Sequence, residues 1–250
     1  MTQRYAIELA YNGTEFYGWQ RQPREISVQE VLEKALSRVH SNLPISVVGC
    51  GRTDTGVHAK RYVLHVDLPV HPEPEQLQFK LNKLLPESIA IYSIRAAAAD
   101  FHARFDATGR TYRYFLHQQK DPFRNRTSLY FPAQLDVDAM NEAAQFLLGT
   151  QDFTSLSKLH TDVKTNICTV TAAHWVRTSP TDLYFEITAD RFLRNMVRAT
   201  VGTLLDVGIA RLKPTQMTAI LAAKDRSEAR VSVKAHGLFL WEIAYPADKK

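Results

Sequence analysis

Polar and apolar positions alternate in two distinct periods along the first hundred residues. Tyr5 to Tyr11 reads as a strand. From Ser27 to Ser41 the period changes: Val28, Val31, Leu32, Ala35, Leu36 and Val39 fall at helical spacing, which predicts an amphipathic helix. Ser27 and Glu30 have the spacing of a capping box at its start. Ile45 to Cys50 and Arg61 to Leu68 read as strands, Glu73 to Leu85 as a helix after a proline-rich lead-in, and Ile89 to Ile94 as a strand. The predicted order is β-α-β-β-α-β, the split βαβ unit of ferredoxin-like folds.

The second half repeats that order with one extra helix. Thr111 to His117 reads as a strand, and Asp136 to Leu148 as a helix with Ala139, Met140, Ala143, Ala144 and Leu147 on one face. Val170 to Val176 and Tyr184 to Ile187 read as strands, Phe192 to Val207 and Pro214 to Ala223 as helices, and Leu238 to Ala244 as the last strand. No residue-level repeat supports the duplication, which is architectural. The expected class is α+β, with an N-terminal half over 1–104 and a C-terminal half over 105–250. A cleft between two such halves, open at a joined and mostly antiparallel sheet, is the expected ligand site.

Composition narrows the partners. The 250 residues are 45% hydrophobic and carry a formal net charge of +5, which permits a polyanionic partner without requiring one. Distribution says more than the total. Between Phe101 and Arg126, six basic residues (Arg104, Arg110, Arg113, Lys120, Arg124 and Arg126) face only Asp106 and Asp121. They are interleaved with Phe105, Tyr112, Tyr114, Phe115 and Phe123. Cations for phosphates mixed with ring faces for bases form a nucleic-acid pattern, although a solvated basic strand has the same composition. Cys50 and Cys168 form no CxxC pair and read as small core residues. No charged-then-apolar leader opens the chain, and no apolar run approaches the roughly 18 residues of a bilayer span. The expectation is a cytoplasmic protein.

The chemistry concentrates in Gly51-Arg52-Thr53-Asp54-Thr55-Gly56-Val57-His58-Ala59. A carboxylate between an arginine and two glycines, just after an apolar run, suits a general base or a carboxylate nucleophile. It equally suits an Asp that caps a turn. The glycine spacing matches a phosphate-binding loop, but Val57-His58 stands where Lys-Ser/Thr is needed. No HExxH pair or GxGxxG loop occurs, so neither a metal nor an organic cofactor is expected.

Residues 51–59 resemble the signature of the TruA family of tRNA pseudouridine synthases, and further matches follow in order. They are Tyr11-Asn12-Gly13-Thr14, Gly18-Trp19-Gln20, Ser27 to Glu33, Phe101 to Ala107, Tyr112-Arg113-Tyr114, Asp152 to Ser155 and Phe192 to Arg198. Thr55 and Asn12 depart from the family pattern, which has alanine and aspartate there. The resemblance implies a pseudouridine synthase fold, isomerisation of uridine in the anticodon stem-loop of tRNA, no cofactor, and a homodimer.

It also implies site residues. Asp54 is the catalytic acid, as nucleophile or base, and Arg198 is its partner. Bordering the predicted apolar stripe of Leu193, Val197, Val201 and Leu204, Arg198 needs a counter-charge, with a phosphate contact as its other reading. Tyr112 stacks on the target uracil, while Tyr114, on the same strand face, is the competing core tyrosine. Arg52, two residues before Asp54, points the same way on an extended segment. Base flipping and phosphate contact both remain open for it. His58 is secondary, and Arg104 and Arg110 complete the substrate-binding set. A non-catalytic RNA-binding module and a methyltransferase are the competing functions. The first leaves the acid unused, and the second lacks a donor-binding loop.

Overall fold

The computed structural model describes residues 2–69, 73–158 and 165–249. It is an α+β protein that divides into two compact units, residues 1–108 with 239–250, and residues 109–238. Among the described residues no helix is long and apolar enough to cross a membrane.

The first unit contains β1 (Thr2–Tyr11), α1 (Val28–Val39), β2 (Val48–Gly49), β3 (His58–Pro69), α2 (Pro74–Leu84) and β4 (Ile89–Ala96). β1 lies between antiparallel β3 and β4, with Ile7 opposite both Leu64 and Ile94. The other edge of β3 takes β2 antiparallel at Leu64–His65 and the chain's last strand parallel at His58–Ala59. The order of elements is therefore the predicted split unit, and part of the tail completes it. The lead-in to α2 falls partly on residues 70–72, outside the described residues. Leu32 and Leu36 of α1 and Leu77 of α2 are fully buried with Ile7, Leu9, Leu64 and Leu68. Each such side chain contributes about 1.5–3 kcal/mol.

Two predicted elements of this unit differ in detail. Ile45 to Cys50 is a strand only at Val48–Gly49, because α1 claims its backbone. Glu33 accepts a hydrogen bond from the Val47 amide (3.2 Å), and Gln29 donates one to the Val47 carbonyl (3.3 Å). Groups satisfied by side chains have no need of a ladder. The capping box is half formed: Ser27 Oγ accepts from the Glu30 amide (3.2 Å), while the Glu30 carboxylate turns to Lys34 (2.6 Å).

The second unit contains β5 (Gly109–His117), β6 (Leu129–Tyr130), α3 (Val137–Gln145), β7 (Gly149–Asp152), β8 (Ile167–Arg177), β9 (Asp182–Ala189), α4 (Met196–Gly208) and α5 (Gln216–Ala223). β9 pairs antiparallel with β5 and β8, and β7 extends the far edge. The strand order β1-β3-β2 of the first unit recurs as β5-β9-β8. Neither β6 nor β7 was predicted, and both are too short to carry a period. The final strand, β10 (Leu238–Ala244), lies almost wholly in the first unit, whereas the sequence reading put the whole of 105–250 in one half.

The helix expected from Phe192 begins four residues later. Asn195 is left-handed (φ 67°), and its side chain donates to Ser232 Oγ (2.6 Å). Asparagine tolerates that conformation better than most residues, so Phe192–Asn195 becomes a turn and Arg198 moves into the helix's first turn.

Buried His65 gives this fold a pH dependence. Its Nδ1 accepts the Ala103 amide (3.0 Å), and burial, reinforced by the Arg4 and His102 charges, pushes its pKa down to about 4. Unfolded histidine titrates near 6.5. As pH falls from about 6.5 to about 4 the unfolded chain takes up a proton that the folded chain refuses, so stability declines across that window and is unaffected above it. The melting temperature of the wild type should fall over this range, and less steeply in His65→Asn, whose amide oxygen can accept the same bond. His117 and His236, also shifted down by burial, keep part of the slope. Identical slopes in variant and wild type would remove His65 from the account.

Candidate functional site

The Gly51–Ala59 segment forms a loop leading into β3, gripped by backbone from the turn after β1. Trp19 N–H donates to Thr53 O (3.2 Å) and Gly56 N–H to Phe16 O (3.2 Å). This close approach needs two glycines. A Cβ on Gly18, whose φ is +83°, would sit 2.4 Å from Thr53 O, and one on Gly13 would sit 2.0 Å from Val57 O. No other residue fits at either position.

Beneath the loop lies an aromatic cluster. Trp19 stacks on Tyr62 at 4.0 Å, and Tyr11 tilts against both. Its hydroxyls face the loop: Tyr11 OH bonds Thr53 Oγ1 (2.8 Å), and Tyr62 OH donates to Gly51 O (2.5 Å). Thr53 is thus drawn inward and buried, while Arg52 is exposed and Asp54 half-buried. Arg52 donates through Nε to Gln20 Oε1 (3.1 Å), which fixes its stem. Just after the acid the chain reverses, with Val57 N–H donating to Asp54 O (3.1 Å) and Gly56 at φ +75°.

His58 is fully buried. Its Nδ1 accepts the Gly13 amide (3.0 Å), and its ring stacks on Phe239 at 4.4 Å. A ring with no exposed surface cannot meet a ligand directly, so His58 fastens the first glycine turn to β3 instead. Asn12 at its departure point accepts from Thr14 N (3.1 Å) and Thr14 Oγ1 (2.6 Å), bonds a carboxylate would accept equally well.

The basic aromatic segment divides between the units. Arg104 lies in the first, exposed, its guanidinium 5.7 Å from the Phe105 ring centroid. In the second, Arg113 pairs with Glu186 across the strands (2.6 Å), and Arg124 pairs with Asp182. These two cations are structural, so the segment offers less free charge than its composition implies. Arg110 donates to Asp190 O (2.7 Å) at the start of β5.

The two tyrosines of β5 separate cleanly. Tyr114 is fully buried and donates to Lys234 O (2.8 Å), burial raising its phenol pKa and the Arg198 charge lowering it. Tyr112, two residues earlier, is half-buried and meets Phe192 edge-on at 5.0 Å. Arg198 is half-buried on α4 and donates through Nε to Val233 O (2.7 Å). A cation in a helix's first turn opposes the macrodipole, and the bond to the Val233 carbonyl offsets that cost. Asp54, Arg52, His58 and Arg104 thus belong to the first unit, and Tyr112, Arg110 and Arg198 to the second.

Both cysteines are buried and free; burial pushes the Cys168 thiol up to about 11, which keeps it protonated and unreactive. Among the described residues no three His, Cys, Asp or Glu side chains gather as metal ligands. Tyr11, Trp19 and Tyr62 were missed as supports of the acid. The glycines beside two of them gave a signal, whereas nothing in the spacing connects Tyr62 to Gly51.

A family model for tRNA pseudouridine synthases matches residues 8–106 and 143–246. Among curated relatives, tRNA pseudouridine synthase A of Porphyromonas gingivalis is 52% identical over 248 residues, covering 98% of each chain. That of Parabacteroides distasonis is 49% identical over 251 residues, covering 98% of this chain and 97% of its own. The Bacillus subtilis protein of the same name is 41% identical over 245 residues, covering 97% and 99%.

The glycine contacts predict a contrast. Gly18→Ala forces both a left-handed alanine and a collision with Thr53 O, and should cost about 1–3 kcal/mol. At about 2–4 °C per kcal/mol for a chain of this size, melting should drop by several degrees. Gly51→Ala, where a Cβ meets nothing within 4 Å, should melt close to the wild type. Equal melting temperatures for the two variants would show that the turn does not grip the loop.

Proposed function

This chain belongs to the tRNA pseudouridine synthase family, and we propose that it isomerises uridine to pseudouridine in the anticodon stem-loop of tRNA with Asp54 as its catalytic acid. The reaction breaks N1–C1′, turns the uracil and joins C5 to C1′; the C5 hydrogen leaves and N1 gains a proton. Nothing is oxidised, and no group is transferred to or from another molecule. One carboxylate with positioning groups suffices, acting as a nucleophile or as a base. The single observation that carries this reading is the site of Asp54: a half-buried acid on a loop whose backbone is held by Tyr62 and two glycine turns, with Tyr11 fixing the neighbouring Thr53 side chain. Such a frame is preorganised for chemistry at the side chain.

The other roles belong to the same proposal. Tyr112, half-buried beside a buried Tyr114, offers a ring face to the target uracil; stacking tolerates the rotation that fixed hydrogen bonds would oppose. Arg198 is the acid's partner on the strength of the family resemblance. The exposed guanidinium of Arg52 suits either a phosphate or the space a flipped base leaves. Arg104 and Arg110 add phosphate contacts. A homodimer working in the cytoplasm completes the proposal, on the strength of the family resemblance.

Labelling the departing atom tests the reaction. Transfer RNA made with tritium at uridine C5 should release tritium to water with purified protein alone. Release should fall to background for Asp54→Asn, whose affinity for tRNA should stay within a few-fold of wild type, and for tRNA whose anticodon-stem uridines are cytidines. Release only after a methyl donor is added would identify a methyltransferase, and none with several tRNAs a passive binder. Either result overturns the assignment.

Affinity should also depend steeply on salt. Each phosphate neutralised contributes a slope on the order of −0.9 in log affinity against log salt, by analogy with duplex DNA. A flat profile in a filter-binding titration would exclude the basic side chains as phosphate contacts.

A further inference from the structure

Two aromatic residues of the basic segment stand open to solvent, Phe123 at 92% and Phe105 at 75% exposed, and Phe105 lies in an ordered turn with a ring beneath it. One face of its ring rests on His102, with centroids 4.3 Å apart and planes 29° from parallel. His102 is itself pinned. Its Nδ1 accepts the amides of Arg104 and Phe105 (both 3.2 Å), and its own amide donates to Asp106 Oδ2 (2.9 Å). The imidazole further meets buried His65 edge-on at 4.8 Å. Asp106 is drawn in its turn towards Lys249 (4.0 Å), which pairs with Asp100 (2.6 Å). The turn therefore builds a rigid support under a phenyl ring and leaves most of that ring in solvent.

A single exposed phenylalanine is ordinary, but a support this ordered is not needed to hold a surface side chain. Phe105 also has a charged neighbour: the exposed Arg104 guanidinium lies 5.7 Å from its centroid. An aromatic face beside a cation is the chemistry that grips single-stranded nucleic acid, the ring stacking on a base and the cation drawn to the backbone. A protein partner would ask for something else, a contiguous apolar patch of several hundred Å². The residues flanking Phe105 are Arg104 and Asp106.

We propose that Phe105, supported on His102 and flanked by Arg104, is a stacking shelf for an unpaired nucleobase of the tRNA substrate, separate from the Asp54 loop. This rests on the function proposed above and adds a specific contact to it. The shelf reads structure rather than sequence, because every base has a face to stack.

Filter-binding affinities for tRNA test it, using the full chain. Stacking worth about 1–3 kcal/mol predicts that Phe105→Ala weakens binding about 5- to 150-fold. Phe105→Leu should be nearly as weak, having apolar area but no ring, while Phe105→Tyr and Phe105→Trp should stay close to wild type. The salt slope of Phe105→Ala should match the wild type, since no phosphate contact is lost, whereas Arg104→Ala should flatten it by about 1. For an RNA duplex without unpaired bases, Phe105→Ala and wild type should bind alike. Unchanged melting temperature of Phe105→Ala confirms that folding is not the cause. If Phe105→Ala binds tRNA as tightly as wild type, or Phe105→Tyr is as weak as Phe105→Ala, there is no shelf. Unchanged affinity with a reduced mass in sedimentation would assign the ring to contact with a second copy and equally overturn it. Because affinity is read apart from tritium release, wild type that binds but never releases tritium refutes the proposed reaction, while equal affinities in an active enzyme refute only the shelf.

Discussion

The site depends on how closely two stretches of backbone approach one another. Atoms of the β1–α1 turn and of the 53–57 loop come near enough that a single Cβ at Gly13 or Gly18 would overlap a carbonyl oxygen. At that range Trp19 and Gly56 exchange amide–carbonyl bonds with the opposing stretches. An irregular loop carrying a functional acid has no ladder to hold it, and its buried amides and carbonyls need partners from elsewhere. Here the glycine turn supplies them, the Tyr62 hydroxyl serves the Gly51 carbonyl, and the Tyr11 hydroxyl ties down the Thr53 side chain. The loop's conformation is thus set by the first twenty residues as much as by its own.

The same logic runs through the rest of the first unit. Buried polar groups are spent on backbone that regular structure leaves unserved. Glu33 would be costly on the inner face of a helix without partners. It takes the Val47 amide, the Gln29 amide group and the Arg21 guanidinium (3.2 Å), and so splints the segment leading into the loop. His58 serves Gly13 and His65 serves Ala103, each as an acceptor that requires an unprotonated Nδ1. Burial of the His65 acceptor gives the fold a stake in neutral pH. Such acceptors also explain how a chain with nine histidines devotes several to structure.

What was legible in the sequence was whatever periodicity governs. The helix from Val28 to Val39 buries Leu32, Ala35 and Leu36 as its spacing required, and the strands around it pair in the expected order. The buried Glu33 broke the pattern invisibly, since its partners Val47 and Arg21 are distant in sequence. Ile45–Cys50 had the composition of a strand but lost its ladder to side chains of α1. Phe192–Val207 had the period of a helix, yet one left-handed asparagine, held by a serine 37 positions on, moved its start. Asp54 and its glycines were legible as a motif. The hydroxyl from Tyr62 to Gly51 was not, because contacts between remote positions leave no local period.

Burial also sorts the aromatic and basic residues that composition lumps together. Tyr114 and Tyr112 share a strand face, but only Tyr114 is enclosed, anchored by its hydroxyl to Lys234 O. Arg113 and Arg124 are consumed by Glu186 and Asp182, while Arg198 stands where the helix dipole disfavours it. Residues whose position is explained by stability need no further role. A phenylalanine held open to water on a fixed ring support is not explained that way. Placement and partners, rather than net charge, separate the basic and aromatic residues that serve the fold from those left open to solvent.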